Sequence, residues 1–168
     1  MSETVSLSAD DFGLCLHLAS DRTVESLRAN RKDAIFDKDH IAAFNVHLLG
    51  AIGEVAFAKW LGVYPSWSCR QFKGMAADVG DRYEIRHRAS KAHDLILRGG
   101  EPVDRVYVLT RGVPPEPIEV SGWTTGTEHR RDEFLMDYGS HGEAWFVPAS
   151  QLHPAGMLRE VGEVRLAA

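Results

Sequence analysis

The sequence predicts an α/β or α+β domain built around one central sheet. Helix-like segments come first, short β-type runs separated by Gly and Pro follow Gly62, and one more helix-like stretch comes late. Residues 1 to 20 mix polar and apolar positions without clear period and read as an irregular lead-in or a short strand. Asp21 to Asn30 reads as a short helix that Asp21 or Thr23 can cap. Asp39 to Leu61 reads as a longer helix, with Gly50 and Gly53 as places for a bend and Gly62 as its stop. It is apolar nearly all round, which predicts burial. The β-type runs are Trp67 to Phe72, Ala76 to Val79, Tyr83 to Arg88, Asp94 to Arg98, Arg105 to Arg111, Ile118 to Trp123 and Ala144 to Val147. Pro114 and Pro115 mark a turn between two strands, Thr127 can cap a helix through Phe134, and Ala149 to Leu152 closes on a final turn.

A chain of 168 residues with 44% apolar side chains is the size of one domain with one core. No run approaches the ~20 uninterrupted apolar residues of a membrane span. The start MSETVSLSADD lacks the basic and apolar parts of a secretory signal, so a cytoplasmic protein is expected. Cys15 and Cys69 make no metal-ligand spacing and fit reduced thiols. The formal charge of −5 weighs against a general DNA-coating protein, because phosphate neutralisation supplies most non-specific affinity. Basic residues are nevertheless clustered: Arg82, Arg86, His87, Arg88, Lys91 and Arg98 in one segment, His129, Arg130 and Arg131 in another. A locally basic surface on an acidic protein suits an enzyme that engages and releases a polyanion.

Glu54 needs explaining first. At helical spacing its neighbours are Gly50, Ala51, Phe57, Ala58 and Leu61, which puts a carboxylate on an apolar face. Such a group must be paired, hydrogen-bonded or metal-bound, and an arginine partner at the core edge is the ordinary solution. The second element is AADVGDRYEIRHR, residues 76 to 88. Strand alternation puts Glu84, Arg86 and Arg88 on one face and Tyr83, Ile85 and His87 on the other. If Gly80, Asp81 and Arg82 form a three-residue hairpin loop, Val79 pairs with Tyr83 and Asp78 lies across from Glu84. Two carboxylates about 5 Å apart are close enough to share a hard divalent cation. An exposed hairpin with ordinary surface charges is the alternative.

A helix carrying GAIGEVAFAKWLG, then an aspartate at a strand, then Glu-x-Arg on the next strand resembles the PD-(D/E)XK nuclease superfamily, in its small phage and bacterial form. IEVSGWTTGTEHRR and AWFVPASQLHP also look like members of that group, and the match covers about residues 45 to 152. The resemblance implies a restriction-endonuclease-like αβββαβ core with a mixed sheet flanked by helices. It also implies Mg²⁺ or Mn²⁺ held by Asp78, Glu84 and the carbonyl of Ile85, with Glu54 in support. Ala77 stands where proline often precedes the aspartate. Arg86 stands where lysine is usual; arginine stays charged and serves poorly as a base, but it can stabilise negative charge on phosphate.

Arg88, Lys91, Arg98, Arg130 and Arg131 are candidates to grip a phosphate backbone, or they form a solvated surface. His87, His93, His129, His141 and His153 lack the paired spacing of a zinc site. Trp67 and Trp123 are placed for packing before base stacking. Serine and cysteine nucleophiles lack a recognisable His and acid. The expected function is a metal-dependent DNA nuclease with Glu54, Asp78, Glu84 and Arg86 at its centre. The alternative is an inactive relative that binds nucleic acid or a host protein as a phage accessory factor, in either case with a homodimer as an allowed assembly.

Overall fold

A computed structural model describes residues 3–29, 40–63, 77–139 and 142–159. Strand β1 (Glu3–Val5) is the short strand allowed for over residues 1 to 20; it leads into helix α1 (Ala9–Arg28), so the rest of that stretch is largely helical and continuous with the helix expected from Asp21. The cause is local. Ser8 Oγ accepts the Asp11 N–H at 3.1 Å while the Asp11 carboxylate accepts the Ser8 N–H at 2.7 Å, a reciprocal capping box. Cys15, Leu18 and Ala19 then bury at i, i+3 and i+4.

Helix α2 (His40–Leu61) runs unbroken through both glycines and stops at Gly62, whose φ of +77° is the left-handed geometry of a helix C-terminus. Burial is confined mainly to its second half: Ala51 through Ala58 and Trp60 are buried, whereas Ile41 and Val46 are exposed. By length and composition alone this helix could cross a membrane, but half of that stretch is buried within the fold.

The described strands form two sheets where one was expected. β2 (Tyr83–Arg88), β4 (Val106–Arg111) and β5 (Ile118–Thr125) join β1 in a four-stranded sheet of order β1-β5-β4-β2. β2 and β4 are parallel and the other pairs antiparallel. β3 (Leu95–Arg98), β6 (Leu135–Asp137) and β7 (Glu143–Val147) form a second sheet of order β3-β7-β6. Every residue of β4 from Val106 to Thr110 is buried, because each of its faces is covered. Val106 and Val108 pack with Phe57, Ala58 and Trp60 of α2, while Tyr107 and Leu109 pack with Leu95, Leu97 and Val147 of the second sheet. The domain is therefore a mixed α+β structure with α2, the first sheet and the second sheet in layers.

Other expectations also shift. The run from Trp67 to Phe72 lies outside the described residues. Of the run Ala76 to Val79, the described residues from Ala77 contribute one isolated bridge, Val79 to Tyr83, and no strand. The stretch from Thr127 to Phe134 is a turn followed by a 3-10 turn at Asp132–Phe134, not an α-helix, since it lacks an apolar stripe at helical spacing. Residues 89–105, which connect the parallel strands β2 and β4, carry β3 and no helix.

Candidate functional site

Glu54 reaches the edge of the first sheet because Gly53 lets α2 lie against it. A Cβ on Gly53 would meet His87 Cβ at 2.5 Å and Thr110 Oγ1 at 2.8 Å, so only hydrogen fits where the helix crosses β2 and β4. Glu54 is 5% exposed. Arg22 of α1 grips both its oxygens, Nη1 to Oε1 at 2.7 Å and Nη2 to Oε2 at 2.6 Å. Burial pushes the Glu54 carboxyl up to about 7; Arg22 opposes that rise, while the negative charges of Asp78 and Glu84 add to it. The arginine partner is thus present, and the neighbouring acids act on the same group.

Asp78 stands at the edge of β2 that no other described strand pairs with. The turn at Gly80, Asp81 and Arg82 forms as expected: Val79 and Tyr83 exchange N–H to C=O bonds of 3.1 and 3.2 Å. The pairing stops there. Ile85 gives its N–H to the Asp78 carboxylate at 2.8 Å instead of continuing a ladder. Arg82 and Arg88 direct their carbonyls to β4, accepting from Val106 and Gly112, so by the two-residue repeat the Ile85 N–H and C=O point to the opposite edge. That carbonyl has a long contact, 3.4 Å, from Arg86 Nη1.

Glu84 and Arg86 share the face of β2 turned away from α2, as strand alternation predicts. Arg105, immediately before β4, binds Glu84 Oε1 through Nη1, and Arg86 Nη1 lies 3.6 Å from Glu84 Oε2. Burial and the charge of Asp78 raise the Glu84 carboxyl, against the pull of Arg105 and Arg86. Arg86 is held by Glu101 Oε1 at 2.8 Å and stacks 5.0 Å from the Tyr107 ring centre. Burial alone would lower the Arg86 guanidinium, but Glu101, Asp78 and Glu84 together raise it and keep it charged. Glu101 Oε2 also accepts the Arg98 N–H at 2.9 Å, and the Tyr107 hydroxyl donates to the Pro102 carbonyl at 2.7 Å, which fixes the loop of residues 99–105 over the site.

The donors suit a hard divalent ion: carboxylate oxygens and a carbonyl outside the β2–β4 ladder. As arranged, Glu54 and Glu84 are each bound by an arginine. No group of three or more His, Cys, Asp or Glu stands in a metal-holding arrangement among the described residues.

The basic candidates separate by role. Arg88 lies partly buried with Nε 3.3 Å from the Asp94 carbonyl. Arg130 Nη2 donates to the carbonyls of Arg98 and Glu101 at 3.2 and 2.9 Å, and its guanidinium covers Trp145. Lys91, Arg98 and Arg131 are exposed, Arg131 beside Glu133 at 3.3 Å. His87, His129 and His153 contact Thr110, Thr124 and Glu128. Trp123 packs on His153 at 4.5 Å between centroids, whereas Trp67 and His141 lie outside the described residues.

Arg22, Glu101 and Arg105 escape the sequence reading. Arg105 stands at the start of an expected strand and Arg22 inside an expected helix, but nothing local names their partners. The elements define a mixed α+β domain whose acidic and basic groups meet at the outer edge of β2. No family model, no curated protein and no solved structure matches the chain.

Proposed function

We propose that this chain is a Mg²⁺- or Mn²⁺-dependent DNA nuclease of the PD-(D/E)XK type, with α2 and the mixed first sheet serving as its restriction-endonuclease-like core. The observation that carries the reading is the Asp78–Ile85 contact beside Glu84 and Arg86, with the Glu54 carboxylate close enough to feel both acids. Asp78, Glu84 and the Ile85 carbonyl would hold the ion, with Glu54 in support. When bound, such an ion lowers the pKa of a water and offsets charge on the scissile phosphate. Arg86, charged and held by Glu101, would stabilise that phosphate in the transition state. Arg88, Lys91, Arg98, Arg130 and Arg131 would border the DNA path; Lys91, Arg98 and Arg131 are the exposed members. On this reading the setting is cytoplasmic, including a host cytoplasm for a phage protein.

The second reading is an inactive nuclease-like module that binds nucleic acid or a host protein. Two observations favour it: guanidinium groups already pair with Glu54 and Glu84, and Arg86 stands where the resemblance has lysine. Digestion of linear, circular and single-stranded DNA with Mn²⁺ separates the two. Cleavage of any form supports the enzyme. Salt-dependent binding with no cleavage of any form supports the module.

A further inference from the structure

Glu101 lies in the connection between β3 and β4, and the chain around it fixes its carboxylate in place. Its Oε2 accepts the Arg98 N–H at 2.9 Å, its carbonyl accepts from Arg130 Nη2 at 2.9 Å, and Gly100 closes the turn between them with a φ of +78°. Its Oε1 is thereby presented to Arg86 Nη2 at 2.8 Å. The Arg86 guanidinium stands between two carboxylates and is hydrogen-bonded to one of them: Nη1 lies 3.6 Å from Glu84 Oε2, beyond a hydrogen bond. Burial alone would favour the opposite choice. Glu84 has the less exposed side chain, 13% against 20% for Glu101, and attraction between charges strengthens as water is excluded. A shift of about 0.8 Å would bring Nη1 within charge-assisted bonding distance of Glu84 Oε2. Arg105 already binds Oε1, so that shift would put a guanidinium on each oxygen of Glu84.

We propose that Glu101 is a positioning residue for the cluster: its contact with Arg86 holds that guanidinium off Glu84 and leaves Oε2 open to the divalent ion. This rests on the metal-site reading above and adds a residue to it. Glu101 acts on the ion through Arg86, and the same contact fixes the direction in which Arg86 meets a phosphate. When the contact is lost, Arg86 closes on Glu84 and the ion must compete with it. A charge-assisted bond of this kind weakens a competing ligand by about tenfold or more.

The test is calorimetric titration of Mn²⁺ into wild type, Asp78→Asn, Glu101→Gln, Glu101→Asp, Arg86→Gln and the double variant Arg86→Gln with Glu101→Gln. Wild type should bind in a manner that Asp78→Asn abolishes. Glu101→Gln should bind about tenfold more weakly than wild type. Glu101→Asp keeps the charge but is one methylene short of Arg86, and it should weaken binding in the same direction. With Arg86 already replaced, Glu101→Gln should change the affinity by less than about twofold, since no guanidinium is left to close on Glu84. A weakening as large in the Arg86→Gln background as in wild type would mean that the Glu101 charge acts on the ion directly, and it would overturn the positioning role. Wild-type affinity in both Glu101 variants would overturn it too and leave the metal site standing. If wild type does not bind Mn²⁺ through Asp78, the metal site falls and the proposal with it. Should Glu101→Gln fail to fold, Glu101→Asp with and without Arg86→Gln gives the same comparison.

Discussion

Gly53→Ala is the most informative single change, since it adds one methyl group at the place where α2 touches the sheet. The new Cβ would sit 2.5 Å from His87 Cβ, 2.9 Å from His87 Cγ and 2.8 Å from Thr110 Oγ1. All three belong to buried or half-buried residues of strands β2 and β4, so relief requires the helix to lift. Overpacking of this kind costs about 1–3 kcal/mol, and the close first contact places this site near the top of that range. Replacing glycine within a helix returns about 1 kcal/mol. The net expectation is a loss of about 2 kcal/mol, or a fall in Tm of roughly 4–8 °C for a domain of this size. Gly13→Ala in α1 is the control, because nothing lies within 4 Å of its new Cβ, and it should gain about 0.5–1 kcal/mol. Urea denaturation followed by circular dichroism reads both. A Gly53→Ala protein as stable as wild type would refute the close crossing, and with it the route by which Glu54 reaches the sheet edge.

Two further predictions concern titration and the basic residues. Burial pushes His87 down to about 4, so its contribution is present above pH 6.5 and is lost as pH falls toward 4, at most about 3 kcal/mol. Glu54 runs the other way: raised to about 7, its contribution is present below pH 4.5 and lost as pH rises to 7, on a similar scale. Wild type should be nearly flat between pH 4.5 and 6.5, Glu54→Gln should gain stability with rising pH, and His87→Gln should lose it. Urea midpoints across that window that stay parallel for all three proteins would exclude both assignments. Arg130→Ala should lower Tm, because its guanidinium ties the carbonyls of Arg98 and Glu101, whereas Arg131→Ala should leave Tm unchanged and only weaken DNA binding at low salt. Thermal melts and binding isotherms for the pair decide this.

Much of the site was legible because it is local. The three-residue turn at Gly80, the facing of Glu84 and Arg86, and the apolar surroundings of Glu54 all follow from spacing within one helix or one hairpin. The partners were not legible, since Arg22, Glu101 and Arg105 meet Glu54, Arg86 and Glu84 across 32, 15 and 21 positions of chain. In the fold, α1 was readable from the Ser8–Asp11 box but was obscured by its mixed composition. The second sheet was hidden for a different reason: β3 and β7 carry the same short apolar runs as the first sheet, and only tertiary pairing decides which sheet a strand joins.

The central claim is that Asp78, Glu84 and Arg86 form a metal-dependent phosphodiesterase site. Single-turnover cleavage of labelled DNA with Mn²⁺ by wild type, Asp78→Ala and Arg86→Ala tests it most directly. The account predicts cleavage by wild type, none by Asp78→Ala, and a rate lower by about 10²-fold or more for Arg86→Ala. Equal rates for the three proteins, or no cleavage by wild type on linear, circular or single-stranded DNA, would contradict it.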